Sequence, residues 1–203
     1  MNKIITIGRE FGSGGRELGR RLAEELNYEY YDKEIISEIA KHTALSEEYV
    51  QQIIEHQPHH LYPITIGHSI GFVDNYQIKQ LQQVYQAQCE IMKQLAEKSN
   101  CVIVGRCADY ILESVKNHLR VYIYASYEQR LKNCVETLKM TEESAKRMIR
   151  EVDKARDTYH RHYAGYAPAD VNYKDILIDS GMLGVEGTAQ YLSELVRKRF
   201  EIE

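Results

Sequence analysis

The stretch "IITIGREFGSGGRELGRRLAEEL", residues 4–26, decides the fold of this chain. Its apolar start predicts a buried strand, Gly12, Gly14 and Gly15 predict a tight turn, and the remainder predicts a helix from about residue 13. Glycines adopt positive φ angles, so successive N–H groups can point into one concave loop, and the helix adds the positive end of its dipole. This order favours a phosphate-binding site. A tight turn that binds nothing is the alternative.

The loop departs from the pattern GxxxxGK[ST] of phosphate-binding loops. Gly15 stands at the lysine position, and Arg16 and Glu17 lie near the position of the Ser or Thr. The nearest cation is therefore Arg16, which we predict to replace the lysine from the first helical turn. Ser13 is a candidate hydroxyl ligand for Mg²⁺, although its place in the loop differs from the usual one. The predicted phosphate cradle consists of Gly12, Ser13, Gly14, Gly15, Arg16 and Glu17.

Composition restricts the classes of function. The 203 residues carry a net charge of −4, which argues against broad binding of nucleic acid. No stretch approaches about 18 apolar residues and the N-terminal apolar run is too short for a signal peptide, so neither a membrane span nor secretion is expected. The four cysteines form no CxxC pair and are expected to be reduced thiols in a cytoplasmic protein.

Apolar runs alternate with helical patterns along the chain. This alternation predicts an α/β fold with three layers, in which about five parallel strands are covered by helices on both faces. Continuous runs of Val, Ile and Tyr support strands that are buried on both sides. The predicted strands are 3–8, 28–31, 101–105, 119–125 and 174–179, and the predicted helices are 13–27, 33–42, 46–56, 75–99, 107–116, 127–137, 141–163 and 185–200.

We predict one domain over 1–203, with two regions outside the simple alternation. Segment 33–99 is predicted to be a helical insertion over the carboxyl edge of the sheet, and 141–170 a lid region. The apolar stripe of helix 75–99 predicts a core helix or a dimer interface. The histidines His56, His59 and His60 are expected to form a surface or satisfied cluster, so no metal site is predicted there.

Two charged residues follow predicted strands. Arg106 comes after Gly105 at the carboxyl end of strand 101–105, where ligands of open α/β sheets bind, and its planar fork suits phosphate oxygens. The alternatives are that it caps the next helix or pairs with Asp109. Asp32 follows the second strand, and its structural alternative is an N-cap for the helix that begins at Lys33.

The helix at 141–163 carries several arginines. Arg150, Asp153 and Arg156 follow one another at intervals of three residues, near one face of the helix. Enzymes that transfer phosphoryl groups bring arginines to the transferred group on a mobile lid. The alternative is a solvated helix with pairs such as Glu142 and Lys146.

Four stretches together resemble the cytidylate kinase-like proteins, which are related to the P-loop nucleoside monophosphate kinases. They are "REFGSGGRELGRRLAEEL", "YYDKEII", "VIVGRCADYIL" and "IREVDKARDTYHRHYAG", and segment 43–99 matches least. The resemblance implies a five-stranded parallel sheet, a phosphate loop after the first strand, an insertion that binds the nucleoside monophosphate, and an arginine-bearing lid. Cytidylate kinase carries a lysine where Gly15 stands.

The resemblance also implies an activity. The γ-phosphoryl of ATP would pass to a nucleoside monophosphate resembling CMP or dCMP, or to a similar small acceptor, with Mg²⁺ bridging the phosphates. By this resemblance Arg106 reaches the acceptor phosphate, Asp32 opens the monophosphate-binding segment, and Asp153 and Arg156 match a D-x-x-R pair of the lid. The residues expected to act in catalysis are Arg16, Arg150, Asp153 and Arg156.

Two other functions remain open from the sequence. A sensor that binds nucleotide without turnover is favoured by the absent lysine. A kinase of a different small molecule is favoured by the poorly matched segment 43–99, where specificity for the acceptor would lie.

Overall fold

The computed structural model describes residues 1–56 and 75–201. A short 3₁₀ turn at Val171–Tyr173 precedes the last strand. The helices and strands, in chain order, are β1 (Ile4–Arg9), α1 (Gly15–Leu26), β2 (Glu29–Tyr31), α2 (Glu34–Thr43), α3 (Glu47–His56), α4 (Asn75–Lys98), β3 (Cys101–Val104), α5 (Ala108–Ile111), β4 (His118–Tyr124), α6 (Tyr127–Glu136), α7 (Glu142–Ala164), β5 (Ile176–Asp179) and α8 (Gly184–Arg199).

The sheet has five strands in the order β2-β3-β1-β4-β5, and every neighbouring pair is parallel. In the centre, Ile5 of β1 pairs with Val102 of β3 on one side and with Leu119 of β4 on the other. These strands have no solvent-facing side, so their apolar runs are continuous rather than alternating. The predicted α/β fold with a five-stranded parallel sheet is confirmed.

Alternate residues of each strand enter the two layers of core. Ile5 and Ile7 of β1 face the helices α1 and α8, and pack with Leu22 and Leu192. Ile4 faces the other side, where α2, α3, α4 and α5 supply the packing. Successive side chains of a strand point to opposite faces, so the buried residues of β1 contribute alternately to the two layers of core.

Helix α4 is a core helix. Its buried side chains, which pack in the cluster that contains Ile4 and Ile103, are Val84, Ala87, Ile91, Met92 and Ala96. Helices α2 and α4 thus cover one face of the sheet. Segment 33–99 was predicted to lie over the carboxyl edge of the sheet, so its position differs from the prediction. The dimer interface through this helix stays a prediction. His59 and His60 lie outside the described residues.

Helix α5 is shorter than predicted, since it ends at Ile111 instead of continuing to 116. Past that residue the backbone bonds three residues back, from Glu113 N to Tyr110 O and from Val115 N to Leu112 O. Such bonds tighten the chain into turns and lead it into β4. The prediction of a helix over 107–116 is therefore wrong in its length.

A buried histidine joins β4 to β1. His118 Nδ1 lies 3.0 Å from the carbonyl oxygen of Leu112, which can only accept, so this nitrogen carries the hydrogen. His118 Nε2 then accepts from the Thr6 hydroxyl at 2.7 Å, and the ring is neutral. Burial and then the charge of Arg120 lower the pKa of His118 to about 4, although the Asp109 carboxylate and the Leu112 carbonyl oppose the shift.

We predict that this histidine makes stability fall in mild acid. Its pKa is lower in the folded chain than the unfolded value of 6.5, so its contribution is complete above 6.5 and is lost as the pH falls towards 4. The free energy of unfolding should fall by about 2 kcal/mol between about pH 7 and about pH 5. Urea unfolding at both pH values measures this, and His118→Gln should lose most of the difference. An equal pH dependence in the variant would contradict the assignment.

Candidate active site

The phosphate loop holds two glycines in the left-handed region, Gly12 with φ 81° and Gly14 with φ 76°. A Cβ atom on Gly12 would lie 2.8 Å from the carbonyl oxygen of Arg130 and 2.9 Å from Cys134 Sγ. One on Gly14 would lie 2.6 Å from a methyl of Val185. Both positions therefore need glycine for two reasons, the backbone angle and the space.

The first turn of α1 offers backbone donors to an anion. The helix begins after Gly14 without a side chain that caps it. The N–H groups of Gly15, Arg16 and Glu17 have no acceptor inside the helix, because the first turn never does. Together with the helix dipole they make a cradle suited to phosphate oxygens.

Two helices brace this loop. Asp153 of α7 accepts from the Phe11 N–H at 2.7 Å, and Arg130 of α6 donates to the Phe11 carbonyl at 2.8 Å. Arg130 also forms an ion pair with Asp153, and Asn133 donates to the Gly12 carbonyl at 2.9 Å. Asp153 thus fixes the loop to the helix that was predicted to be a lid.

A cavity of about 350 Å³ opens beside the loop, at the carboxyl ends of β1 and β3. Ligands of open parallel sheets bind at this edge. Its apolar lining includes Phe11, Ile54, Met148, Val152 and Tyr159. Its ionisable lining consists of Arg9, Arg16, Lys33, Arg106, Asp109, Arg156, His160 and Lys174.

Four of these arginines form one group around Arg9 and Asp32. Arg16 Nε lies 2.6 Å from Asp32 Oδ2, and Arg9 Nη2 lies 3.8 Å from Asp32 Oδ1. Arg106 Nε donates to the Asp32 carbonyl at 3.2 Å, and Arg156 Nη1 donates to the Arg9 carbonyl at 3.1 Å. Arg156 Nη1 also lies 3.9 Å from Asp153 Oδ1. Four guanidinium groups beside the carboxylates of Asp32 and Asp153 make this end of the cavity rich in positive charge, which favours an anion.

The alternative role of Asp32 as an N-cap is wrong. Helix α2 has Lys33 at its N-cap position, and no side chain caps it. The Asp32 carboxylate instead turns to Arg16 and Arg9.

Arg9 is a largely buried cation, since its side chain is only 10% exposed. Burial, and next the charge of Arg156, lowers the pKa of Arg9 to about 9, while Asp32 acts in the opposite direction. Within the described part of the chain, Arg9 Nε is a buried donor without a hydrogen-bond partner, and Asp32 Oδ1 is a buried acceptor without one. Unsatisfied buried polar atoms are rare in folded proteins and indicate a missing partner.

A second charged group lines the same cavity. Asp109 Oδ2 lies 2.5 Å from Lys174 Nζ and 3.0 Å from His160 Nε2, and His160 Nδ1 lies 2.9 Å from the Tyr166 carbonyl. Burial alone would raise the pKa of Asp109, but the hydrogen bonds and charges of His160 and Lys174 hold it below its usual value. Asp109 is therefore a buried carboxylate that pairs with Lys174 and His160.

The structure brings together some of the predicted site residues. The six cradle residues 12–17 form one loop and helix turn, and Arg106 and Arg156 line the cavity beside it. Arg16 also lines the cavity, but it is half-exposed and its side chain turns to Asp32. Arg150 is exposed on α7 and is not part of the cavity lining.

Sequence reasoning alone misses Arg9, Arg130 and the Asp109, His160 and Lys174 group. A signal exists for Arg9. When Gly14 and Gly15 are aligned with the GK of GxxxxGK[ST], Arg9 stands at the first glycine of the pattern. No comparable local pattern marks the other four, because their partners are distant in sequence.

The residues beside the cradle do not fit a protein-held Mg²⁺. Ser13 is fully buried and its hydroxyl donates to the Glu10 carbonyl at 2.9 Å, so it is turned away from a ligand. The carboxylates that contact the loop or its first helical turn, which are Glu10, Glu17, Asp32 and Asp153, each form an ion pair with an arginine. Hydrogen bonding from Arg20 lowers the pKa of Glu17 to about 2.

These features define a P-loop kinase type of α/β protein, with a phosphate loop after the first strand of a parallel sheet. The chain belongs to the cytidylate kinase-like family, whose model matches residues 4–182. It is 22% identical over 212 residues to the cytidylate kinase of Methanopyrus kandleri, covering 100% of this chain and 97% of that protein.

Two solved structures share the fold. An uncharacterized protein from Eubacterium ventriosum is 27% identical with a TM-score of 0.72, covering 96% of this chain and 98% of its own. The shikimate kinase of Acinetobacter baumannii is 17% identical with a TM-score of 0.53, covering 98% and 94%. Among the described residues, no helix has the length and apolar character that a membrane crossing requires.

Proposed function

We propose that this protein is an ATP-dependent phosphotransferase, which moves the γ-phosphoryl of ATP to a nucleoside monophosphate resembling CMP or dCMP, or to a similar small acceptor. One observation carries the proposal. A backbone anion cradle opens onto a cavity that is lined by four arginines, which are Arg9, Arg16, Arg106 and Arg156. Two phosphate groups, one from each substrate, would satisfy this charge.

The chemistry needs positioning and charge stabilisation. An oxygen of the acceptor forms a bond to the γ-phosphorus of ATP as the bond from that phosphorus to the bridging oxygen breaks, which leaves ADP. Residues 12–17 would hold the donor phosphates, and Arg106 and Arg156 would hold the acceptor and the transferred group. Asp32 and Asp153 would fix Arg16 and the loop. Mg²⁺ would be carried by ATP, where it would neutralise phosphate charge.

A nucleotide sensor is the second candidate, and Gly15 at the lysine position is the observation that favours it. Such a protein would bind ATP in the same cradle, but no transfer would follow.

The test measures ADP formation with a panel of acceptors and binding of ATP by calorimetry in the same samples. The panel contains the common nucleoside monophosphates and their deoxy forms, with shikimate and gluconate as non-nucleotide acceptors. We expect turnover with at least one pyrimidine monophosphate. ATP binding without turnover for any acceptor would favour the sensor, and absence of ATP binding would contradict both candidates.

A further inference from the structure

The side chain of Arg9 runs through the space that a lysine at position 15 would need. A Cβ atom on Gly15 would lie 2.7 Å from Arg9 Cβ and 3.2 Å from Arg9 Cγ, so Gly15 leaves room for the Arg9 stem. The guanidinium then lies on the backbone of Gly105, where a Cβ atom would collide with Arg9 Nη1. Two glycines on different elements therefore accommodate one arginine.

This arrangement exchanges residue types within the loop pattern. GxxxxGK has glycine first and the cation last, whereas this chain has Arg9 first and Gly15 last, with the same number of residues between them. A lysine at 15 and an arginine at 9 could not share the space without displacement. The Arg9 stem, together with Ile123 Cβ at 3.3 Å from the position of a Cβ atom on residue 15, explains why glycine stands there.

We infer that Arg9 replaces the P-loop lysine as the cation on the transferred phosphoryl group, an inference that rests on the proposed function. The side chain begins against Gly15 of the donor cradle and ends beside Gly105 and Asp32 of the acceptor cavity. The Arg9 side chain therefore spans from the donor cradle to the cavity that would hold the acceptor. A buried Nε without a partner among the described residues is a donor for an anion oxygen.

Arg16 fits this role less well than Arg9. The Arg16 side chain is 52% exposed, and its Nε is held by Asp32 Oδ2 at 2.6 Å. The Arg9 side chain is 10% exposed and lies 3.8 Å from the same carboxylate. A cation stabilises developing charge most when water is excluded from it, because the local dielectric is lower.

The experiment compares Arg9→Met with Arg16→Ala in the full chain. Methionine keeps an unbranched stem beside Gly15 and removes only the charge and donors. Arg197→Met on α8, where Arg197 bonds the Glu25 carbonyl outside the cavity, is the matched control. We expect Arg9→Met to lower kcat by about 10²–10³-fold, Arg16→Ala by less than about tenfold, and the control to leave it unchanged. The melting temperature of Arg9→Met should stay equal or rise, since a buried, incompletely paired cation is removed.

Two further measurements make the role specific. The double variant Arg9→Gly with Gly15→Lys restores the order of GxxxxGK and should be at least about tenfold faster than Arg9→Met. Binding of ADP with aluminium fluoride, which mimics the transferred phosphoryl group, should weaken in Arg9→Met while binding of ADP alone stays the same.

Each outcome decides the inference. If the parent transfers phosphate and Arg9→Met matches it, the inference is overturned and the proposed function stands. Should the parent show no turnover, a loss of fluoride-complex binding in Arg9→Met supports the inference within a sensor, and unchanged binding overturns it. If the parent binds neither nucleotide nor the fluoride complex, the inference and the function are both wrong.

Discussion

Asp109→Asn is expected to destabilise the protein by about 3–5 kcal/mol, the loss typical of breaking a buried ion pair from one side. Lys174 is only 1% exposed at its side chain, and its ammonium lies 2.5 Å from Asp109 Oδ2. Asparagine keeps the shape of the side chain but removes the negative charge. It leaves Lys174 buried without a counter-charge, and its NH₂ group cannot accept from His160. The free energy of unfolding from urea titrations measures the effect.

A double variant separates charge from shape in this group. Asp109→Leu combined with Lys174→Met removes both charges, so it should recover a large part of the loss seen in Asp109→Asn. Asp157→Asn, which breaks an exposed pair with Arg161 on α7, is the control and should change stability by less than about 0.5 kcal/mol. A loss below about 1 kcal/mol in Asp109→Asn would show that water already screens the buried group.

Local patterns in the sequence predict most of the fold. The apolar runs of β1, β3 and β4 are continuous because both faces of those strands are buried, and that pattern is visible without partners. Gly12 and Gly14 mark the loop in the sequence because both have positive φ angles, which only glycine adopts at little energetic cost. Helix bounds follow within a few residues, except for α5.

Local patterns do not predict how side chains meet across the fold. Asp109 and Lys174 are 65 residues apart, and Arg130 and Asp153 are 23 apart on different helices, so neither pair has a spacing signal. Arg9 belongs to a strand end, where an arginine usually points to solvent. Its inward direction depends on Gly15 and Gly105, one of which is far away in the chain.

Helix α7 shows how far residue spacing predicts which side chains lie on the same face of a helix. The predicted set of Arg150, Asp153 and Arg156 assumes that residues three apart stay near one face. In the structure only Asp153 and Arg156 reach the loop or the cavity, while Arg150 is exposed. Each step of three residues rotates by about 300°, so two steps already move a side chain to another side of the helix.

Arg156→Ala is expected to lower kcat by about 10²–10³-fold, the loss typical of one charge-stabilising contact. Helix α7 places this guanidinium at the cavity, where Nη1 donates to the Arg9 carbonyl at 3.1 Å. Asp153 fixes the same helix to the loop through the Phe11 N–H, so the arginine is positioned before substrate binds. Negative charge spreads over the oxygens of the transferred phosphoryl group in the transition state, and a guanidinium that is already positioned beside them would stabilise that charge.

Stability should change little in Arg156→Ala, although kcat falls. The charge of Arg156 is a cause of the lowered pKa of Arg9, so the two cations repel each other when no anion is bound. Removing Arg156 relieves this repulsion but also removes its hydrogen bond to the Arg9 carbonyl and its ion pair with Asp153, so the melting temperature should change little. Arg161→Ala, which breaks only the exposed pair with Asp157 on the same helix, should leave kcat unchanged. A fall in melting temperature that parallels the fall in kcat would assign Arg156 to the packing of α7, because a residue that acts on the transferred group loses rate without losing the fold.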